Sequence, residues 1–395
     1  MNYLGEAVGL WLLVTAAMLL IPVSWCVLRF RFTPVEGDER GRSDPRLPCE
    51  VLVPVKGVFP DQERILSSLL DQSHPSYRVS FIVESEEDPA NSVVDLLCAR
   101  YPHSGKIVSG AAALCAQKNH NLIAGIRGLH PDTRIVVFCD STNAADPGWL
   151  TRFTRPLEEG TAQVVTTHRA FNPAPRTSGG VAQAVYGSLI TCLTSLRTTP
   201  WGGGTAILRE TMEHLNLPDA WSRTLNDDLV LGNILRRAGI RIACDSRNRL
   251  TTPLPYWTWK RFATFLDRQI VNPKFTNRGI WLTTVTVMLN LAAAIVVAGF
   301  IALIAFPLGH VQWWLGVVSF GFFGLIVLFA LLLRYASPFP IPVAIWCLSF
   351  FYGVFLAAFI CFRSFFRNYV NWHGKRYIAG RDGVVVRISR YDPDA

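Results

Sequence analysis

The chain is poor in charged residues and has no closely spaced pair of cysteines. Charged residues make up 17% of its 395 positions, whereas 50% are hydrophobic and the mean hydropathy is +0.27. A single soluble domain rarely carries so much apolar sequence, so we expect one globular domain plus a few membrane segments. The nine cysteines include no C-x-x-C pair, which argues against zinc and disulfides and favours buried thiols in a reducing compartment.

Internal repeats, low-complexity segments and an isolated basic tract are also absent from the sequence. The formal net charge is nevertheless +9, and the cations cluster beside apolar segments. This placement favours a lipid bilayer as the partner and argues against nucleic acid. Nothing in the sequence specifies an oligomeric state.

The first long apolar segment, residues 1–30, carries only Glu6 as a charge before Arg29. No small-residue cleavage site follows, so we predict a retained transmembrane anchor. Further arginines, among them Arg40 and Arg42, come after it. The positive-inside rule then places the next domain in the cytoplasm, and we expect an integral protein of a bacterial inner membrane.

Three more apolar stretches lie within residues 280–363. If all three crossed the bilayer, the basic residues of the segment 364–395 would lie outside, against the positive-inside rule. Pro338, Pro340 and Pro342 precede the third stretch. We therefore favour a re-entrant or interfacial element there over a full span.

Two short regions border these stretches. Residues 262–279 are predicted to lie in the membrane interface. The basic residues 364–395 are predicted to form a small cytoplasmic tail, with Trp372, Lys375 and Arg376 near lipid headgroups.

Residues 48–261 have the pattern of alternating strands and helices. The apolar runs EVLVPVKG and YRVSFIVES flank DQERILSSLLDQ, whose apolar residues recur at helical spacing. The pattern predicts an α/β, Rossmann-like domain that opens with a β-α-β unit. Ligands bind at the carboxyl ends of strands in such sheets, so Val55, the segment 84–88 and Asp140 should meet at one crevice.

Asp140 directly follows the apolar run IVVFC. The sequence Asp-Ser-Thr-Asn is ordinary turn chemistry, in which the carboxylate caps the turn. A strand buried on both faces also delivers ligand residues at its carboxyl end, and one carboxylate with phosphate oxygens can hold Mg2+ or Mn2+. The setting of the strand favours this second interpretation.

Asp227 and Asp228 precede LVLGNILRRAG, a predicted helix. They are either acids at a helix N-terminus, favoured by the helix dipole, or a rigidly held general base and its neighbour. Upstream, Gly202 to Gly204 suit close approach to a ligand or simply a tight loop. The preceding GGVAQAVYGSLITCLTSL is either an interfacial helix that guides a lipid or a buried core helix.

In their order these motifs resemble the membrane-bound family 2 glycosyltransferases of the ceramide glucosyltransferase and hopanoid-associated type. The resemblance covers most of the chain through VLVPVKG, FIVESEEDPA, QKNHNL, FCDS, WGGGTAILRE, NDDLVLG, FLDRQ and VNWHGKRY. It implies a GT-A fold, a nucleotide-sugar donor, a divalent metal (Mg2+ or Mn2+), and inverting transfer of one sugar to a membrane lipid hydroxyl.

The resemblance also implies roles for single residues. Asp140 would be the metal-binding aspartate, Asp228 the base that deprotonates the acceptor, and Asp227 the acid beside it. Lys118 would contact the donor. Further candidates for the donor site are Val55, Gly203 and Gly204.

The chain departs from the family pattern at two places. Ser85 stands where the family often has its first aspartate, so nucleoside recognition falls to Glu84 or Glu86. The family motif Q/R-x-x-R-W is reduced to FLDRQ, which keeps Arg268 and loses the tryptophan. Arg268 would contact the diphosphate, the alternative being a surface arginine on an interfacial helix.

Three functions remain at this level. The first is transfer of one sugar, expected from UDP-hexose, to a lipid such as a ceramide, hopanoid or diacylglycerol. The second is a processive polysaccharide synthase, which should need a larger transmembrane bundle and the missing tryptophan, so the first is favoured. The third is a non-catalytic membrane scaffold with a degenerate transferase domain.

Overall fold

The computed structural model describes residues 2–32, 47–196, 198–244, 248–380 and 383–391. Arg40 and Arg42, which entered the prediction of anchor orientation, lie outside these residues. The described strands are β1 (Cys49–Pro54), β2 (Tyr77–Val83), β3 (Ser104–Val108), β4 (Ile135–Cys139), β5 (Val164–Thr166), β6 (Arg169–Pro173), β7 (Gly204–Leu208), β8 (Ile242–Cys244), β9 (Leu250–Leu254), β10 (Tyr369–Trp372), β11 (Lys375–Ala379) and β12 (Val385–Arg390).

The described helices alternate with the strands in the first half of the chain and dominate the second half. They are α1 (Asn2–Phe32), α2 (Gln62–Leu70), α3 (Asn91–Arg100), α4 (Gln117–Arg127), α5 (Trp149–Glu158), α6 (Ser178–Leu196), α7 (Arg209–His214), α8 (Leu217–Trp221), α9 (Asp228–Arg237), α10 (Trp259–Thr276), α11 (Arg278–Phe300), α12 (Trp313–Tyr335) and α13 (Val343–Ser364). A π-helical turn, Ile301–Ala305, extends α11.

A mixed seven-stranded sheet forms the centre of the fold, in the order β3-β2-β1-β4-β7-β5-β8. Strands β3, β2, β1 and β4 are parallel, and β7 runs antiparallel to both β4 and β5. Because β2, β1 and β4 are parallel neighbours, their carboxyl ends lie at the same edge of the sheet. The predicted α/β architecture is confirmed.

Both faces of the sheet are covered by helices because its strands are apolar at successive positions. Val51 and Val53 of β1 pack with α2, α3 and α5, whereas Leu52 packs on the other face with α4, α8 and α9. All five residues of β4 are buried. This burial is the reason why the IVVFC run shows no polar alternation.

Within the part of the chain that the structure describes, four helices are long and apolar enough to cross a membrane: Tyr3–Leu28, Arg278–Ala305, Trp313–Tyr335 and Val343–Ser364. Together with α6 and α10 they share one apolar cluster, which is separate from the two clusters on the sheet. The segment GGVAQAVYGSLITCLTSL, whose setting the sequence left open, is α6 and packs within this apolar cluster.

The third C-terminal stretch is an unbroken helix, so the expected re-entrant break does not occur. The prolines precede α13, which begins after Pro342. Near its start, Arg334 Nε donates to the carbonyl oxygen of Ile341 at 2.7 Å, and Arg249 Nη1 donates to Ala336 at 2.7 Å. Arg249 immediately precedes β9, so the α12–α13 connection lies against the α/β domain.

The other end of α13 contacts helix α10. Lys274 Nζ of α10 donates to the carbonyl oxygen of Ser364 at 2.7 Å. Arg363 Nη2 lies 2.5 Å from Asp267 Oδ1, also on α10, and Arg367 pairs with the same carboxylate. Both ends of this 22-residue helix therefore contact elements that border the α/β domain.

The C-terminal strands form a small antiparallel sheet, β10-β11-β12, that packs on the α/β domain. Leu225 N donates to Gly383 O at 2.8 Å, and Thr224 bridges to Val384. The sequence predicts a small cytoplasmic tail here, with Trp372, Lys375 and Arg376 near lipid headgroups. The contacts with Thr224 and Leu225 instead attach this segment to the α/β domain.

Candidate active site

The site is built at the carboxyl ends of β2, β1 and β4. Lys56 follows β1, Glu84 follows β2 and Asp140 follows β4. Lys56 Nζ lies 2.5 Å from Glu84 Oε2, and Gly57 N donates to Asp88 Oδ1 at 2.8 Å. These contacts join the loops after β1 and β2, and Asp140 lies at the same edge of the sheet; we name this region the crevice.

Asp140 lies at the centre of a cluster of cations. Lys118 Nζ is 2.8 Å from its Oδ1, and Arg169 Nη1 is 3.8 Å from its Oδ2. Burial opposes ionisation of Asp140, but Lys118, Arg169 and Arg268 outweigh it and lower the pKa of the carboxyl group. Among the described residues the carboxylate pairs with cations and does not cap its own turn.

Lys118 joins the two acidic motifs. Its Nζ lies 2.9 Å from Asp227 Oδ2 as well as 2.8 Å from Asp140, and it donates to Gly202 O at 3.0 Å. Burial alone would lower the pKa of this lysine, but Asp140 and Asp227 raise it. A permanently charged ammonium therefore holds the loop after β4 against the start of α9.

Asp228 is oriented by two backbone amides. Its Oδ1 accepts from Leu229 N at 2.7 Å and its Oδ2 from Gly202 N at 3.2 Å. Asn226 Oδ1 also accepts from Leu229 N, at 2.8 Å, so the amide side chain serves the helix start. Burial, together with the charge of Asp227, raises the pKa of Asp228 to about 6, with Lys118 acting in the opposite direction.

The glycine loop after Trp201 lets these groups approach closely. A Cβ on Gly202 would lie 2.1 Å from Asp227 Oδ2, and one on Gly203 would lie 2.5 Å from Asp140 Oδ2. A Cβ on Gly204 would lie 2.8 Å from Thr167 Cγ2. These glycines leave room for the acidic side chains, and none of the three has a positive φ.

Two arginines face the same crevice from the membrane side. Arg268 of α10 is half-buried, its buried Nε has no hydrogen-bond partner among the described residues, and desolvation by the surrounding protein lowers its pKa to about 10. Its guanidinium lies 5.5 Å from the ring centroid of Trp372. Arg169 lies over the rings of Phe171, Trp201 and Phe265, at 4.8, 5.2 and 5.4 Å respectively.

Two of the candidate residues do not present their side chains here. Val55 is 1% exposed and belongs to the core on one face of the sheet. Glu86 pairs with Lys106 of edge strand β3 at 2.9 Å, and its side chain is 63% exposed. Glu84, with a side chain 14% exposed, is the acid that the structure brings to the crevice.

Sequence reasoning missed several residues of the crevice. Lys56 stands in the quoted VLVPVKG motif, one position after the selected valine, and could have been found there. Arg169 carries no local signal, because an arginine at the start of a short strand is ordinary. His373 and Lys375 belong to the motif VNWHGKRY, whose aromatic and basic residues favour the different prediction of contact with lipid headgroups.

This arrangement defines a class of protein. A half-buried acid flanked by cations, a second acid with a raised pKa and an arginine whose Nε has no partner among the described residues suit the transfer of a group from an anionic carrier. On a mixed α/β sheet with adjoining membrane-length helices, these features are those of a GT-A glycosyltransferase.

Comparison with known proteins identifies the family. Residues 12–385 match the model of Glycosyl transferase family 21, so the chain belongs to that family and is a glycosyltransferase. A ceramide glucosyltransferase of Komagataella phaffii (strain GS115 / ATCC 20864) is 32% identical over 108 residues. That match covers 26% of this chain and 21% of the yeast protein, so the chain spans about a fifth of that relative. The resemblance to ceramide glucosyltransferases is confirmed.

The chain is also similar to two solved glycosyltransferase structures. The mannosyltransferase PcManGT from Pyrobaculum calidifontis, in complex with GDP-Man and Mn2+, has a TM-score of 0.48 and 14% identity, over 90% of this chain and 99% of that one. Glucosyl-3-phosphoglycerate synthase from Mycobacterium tuberculosis, with Mn2+, UDP and glucosyl-3-phosphoglycerate, has a TM-score of 0.33 and 15% identity, over 52% and 70% of the two chains.

The glycine loop gives a direct test of the site. In Gly202→Ala the new methyl group must displace Asp227 and Lys118, so we expect glycosyl transfer to fall about 10- to 100-fold. Thermal unfolding should change little, because the displaced atoms are the ends of side chains. The measurement is kcat/KM beside the unfolding midpoint in detergent.

The matched control is Gly105→Ala on β3, where a Cβ meets nothing within 4 Å. It should leave activity unchanged. Full activity in Gly202→Ala would mean that the Asp227–Lys118 contact has no part in the reaction.

Proposed function

We propose that this glycosyltransferase moves one sugar, with inversion, from a nucleotide-sugar such as UDP-hexose to the hydroxyl of a membrane lipid. The acceptor class is ceramide-, hopanoid- or diacylglycerol-like. The observation that carries the proposal is the buried Nε of Arg268, which has no hydrogen-bond partner among the described residues and lies beside the crevice that contains Asp140 and Asp228. A buried donor without an acceptor is unfavourable, and a diphosphate oxygen would supply the missing partner.

Asp140 is the residue that we expect to hold a divalent cation. In the described part of the chain no group of three or more His, Cys, Asp or Glu side chains gathers as a metal site. Mg2+ commonly takes one or two carboxylates together with substrate phosphates, so a single aspartate fits a metal that binds with the donor. Bound there, Mg2+ or Mn2+ would neutralise charge on the leaving diphosphate.

Asp228 is the proposed base. The acceptor oxygen attacks the anomeric carbon, its proton passes to Asp228, and the bond from that carbon to the diphosphate breaks, releasing the nucleoside diphosphate. Arg268 and Lys118 offset the negative charge that develops on the leaving group. A single displacement of this kind inverts the anomeric centre and needs no enzyme nucleophile.

Helix α6 supports a lipid as the acceptor. Its Tyr186 lies edge-on to Phe265 of α10, with ring centroids 5.5 Å apart. Burial raises the pKa of this tyrosine, Arg169 lowers it, and the charge of Asp228 raises it further, so the phenol lies within electrostatic range of the base. The same helix packs in the apolar cluster of the membrane-length helices, so it links those helices to the surroundings of Asp228.

The proposal also includes a membrane arrangement. Helices α1, α11 and α12 would cross a bacterial inner membrane, with the catalytic domain in the cytoplasm, and α13 would lie along the interface. Supporting this, both ends of α13 contact elements bordering the α/β domain, and the sheet β10-β11-β12 packs on that domain. Two crossings after the domain return the basic C-terminal segment to the cytoplasm, as the positive-inside rule requires.

The function is tested by transfer of label from radioactive nucleotide sugars into lipids of membranes that contain the protein. We expect label in the organic-soluble lipids, and at least a ~100-fold loss in Asp228→Asn membranes because the base is removed. The control is Asp132→Asn, which changes a carboxylate that is 78% exposed and remote from the crevice. Label in insoluble polymer would favour a polysaccharide synthase, and no label with either metal would favour a scaffold.

The raised pKa of Asp228 predicts the acidic limb of the pH profile. The base must be ionised, so kcat/KM should fall about tenfold per pH unit below about 6. Because Lys118 lowers this pKa, Lys118→Met should move the limb to higher pH. Initial rates at low donor concentration measure the acidic limb in wild type and in Lys118→Met. Each limb reports the joint ionisation of Asp227 and Asp228. A limb that does not move in Lys118→Met would contradict the assignment.

The position of α13 is tested by labelling introduced cysteines with an impermeant maleimide. Val343 and Phe366 are exposed at the two ends of the helix, with 48% and 78% exposure. If α13 lies along the cytoplasmic interface, Val343→Cys and Phe366→Cys should both react in inverted vesicles and neither in intact spheroplasts. One reacting from each side would mean that the helix spans the bilayer. The parent chain gives the background from native cysteines.

A further inference from the structure

Strands β10 and β11 form a hairpin, Tyr369–Ala379, which we name the C-terminal hairpin. Trp372 pairs with Lys375, so His373 and Gly374 form its two-residue turn. Both turn residues have positive φ, 46° and 71°, as a type I′ turn requires. Asn-Gly is the preferred pair in such a turn, so the turn by itself gives no reason for an imidazole.

Lys375, the first residue after the turn, holds the hairpin at the crevice. Lys375 Nζ lies 2.6 Å from Glu84 Oε1 and 2.6 Å from Gln117 Oε1. The other oxygen of Glu84 contacts Lys56, so this carboxylate is held by a lysine on each side. Burial opposes its ionisation, but these two lysines lower its pKa. Glu84 therefore joins the end of β2 to the hairpin.

The tip of the hairpin lies among the groups assigned to the donor diphosphate. Trp372 packs under the guanidinium of Arg268, and the ring of His373 lies 5.4 Å from that of Trp372. The charges of Arg268, Lys56, Asp88 and Asp140 all act on this imidazole. The side chain is solvent-exposed although protein surrounds it on most sides, as expected for a residue that lines an open crevice.

We propose that the C-terminal hairpin forms one wall of the donor pocket, in which His373 contacts the nucleoside diphosphate and Lys375 positions the hairpin through Glu84. The proposal rests on the proposed function, because it concerns the donor of the same reaction. Although part of the side chain is exposed, desolvation by the surrounding protein, together with the nearby Arg268 and Lys56, lowers the pKa of His373 to about 4 against the opposing effect of Asp88 and Asp140. The neutral ring would donate one hydrogen bond to a phosphate or ribose oxygen.

The first test uses the wild-type chain, purified in detergent, and diethyl pyrocarbonate, which acylates accessible neutral imidazoles. UDP or GDP with Mn2+ should slow modification of His373 at least about fivefold, followed peptide by peptide by mass spectrometry. His130, whose side chain is 40% exposed and remote from the crevice, should react at the same rate with and without nucleotide. Equal rates at His373, when the nucleotide binds, would overturn the proposal.

The second test is His373→Asn, which keeps a residue suited to the turn and removes the imidazole. The Kd for the nucleotide that binds wild type should rise about tenfold, the effect of one hydrogen bond to a charged group. Arg376→Ala is the matched control on the same hairpin. Its guanidinium lies over Tyr369 and Tyr391, at 4.4 and 5.0 Å, and its loss should leave Kd unchanged.

Lys375→Met separates positioning from chemistry. We expect a higher KM for the nucleotide-sugar with kcat within about twofold, because the base is untouched. Unchanged KM in both Lys375→Met and His373→Asn, with wild type active, would overturn the inference and leave the proposed function standing. Absence of both nucleotide binding and transfer in wild type would remove the proposed function, and the inference with it.

Discussion

The contact on which the site depends is the ammonium of Lys118 between Asp140 and Asp227, at 2.8 and 2.9 Å. The three carboxylates of Asp140, Asp227 and Asp228 would repel one another without a central cation. The lysine satisfies two of them and leaves Asp228 with a raised pKa. The glycine loop is part of the same constraint, because a side chain on Gly202 would occupy the space of this contact. Local charge balance thus sets both the geometry and the basicity of the site.

The membrane side of the crevice has a different character. Arg169 and Arg268 are half-buried beside aromatic rings, and the charges of Asp140, Asp228 and Asp267 act on one or both of them. Partial burial strengthens the attraction of each guanidinium group for an anionic ligand, because less water competes for it. Helix α10 carries Arg268 on one side and pairs through Asp267 with the end of α13 on another. Helix α10 therefore joins Arg268 directly to the end of α13.

The chain returns to its first domain after the membrane-length helices. The C-terminal hairpin contacts Glu84 and Gln117, which are more than 250 positions away in sequence. Unlike the tail expected from its basic composition, this segment contributes side chains to the crevice. Its lysine neutralises the carboxylate of Glu84.

The sequence by itself determined the α/β sheet, the four apolar helices and the acids Asp140, Asp227 and Asp228, because strand burial, hydrophobic length and short motifs are local patterns. It could not choose between Glu84 and Glu86, or detect Arg169, since neighbouring side chains on a loop differ only in the direction they take in space. It also could not assign His373 and Lys375, because basic residues beside an apolar helix have the same composition at a headgroup and in a pocket. Only the tertiary structure decided those positions, through the pairing of Lys375 with Glu84 and the packing of Trp372 under Arg268.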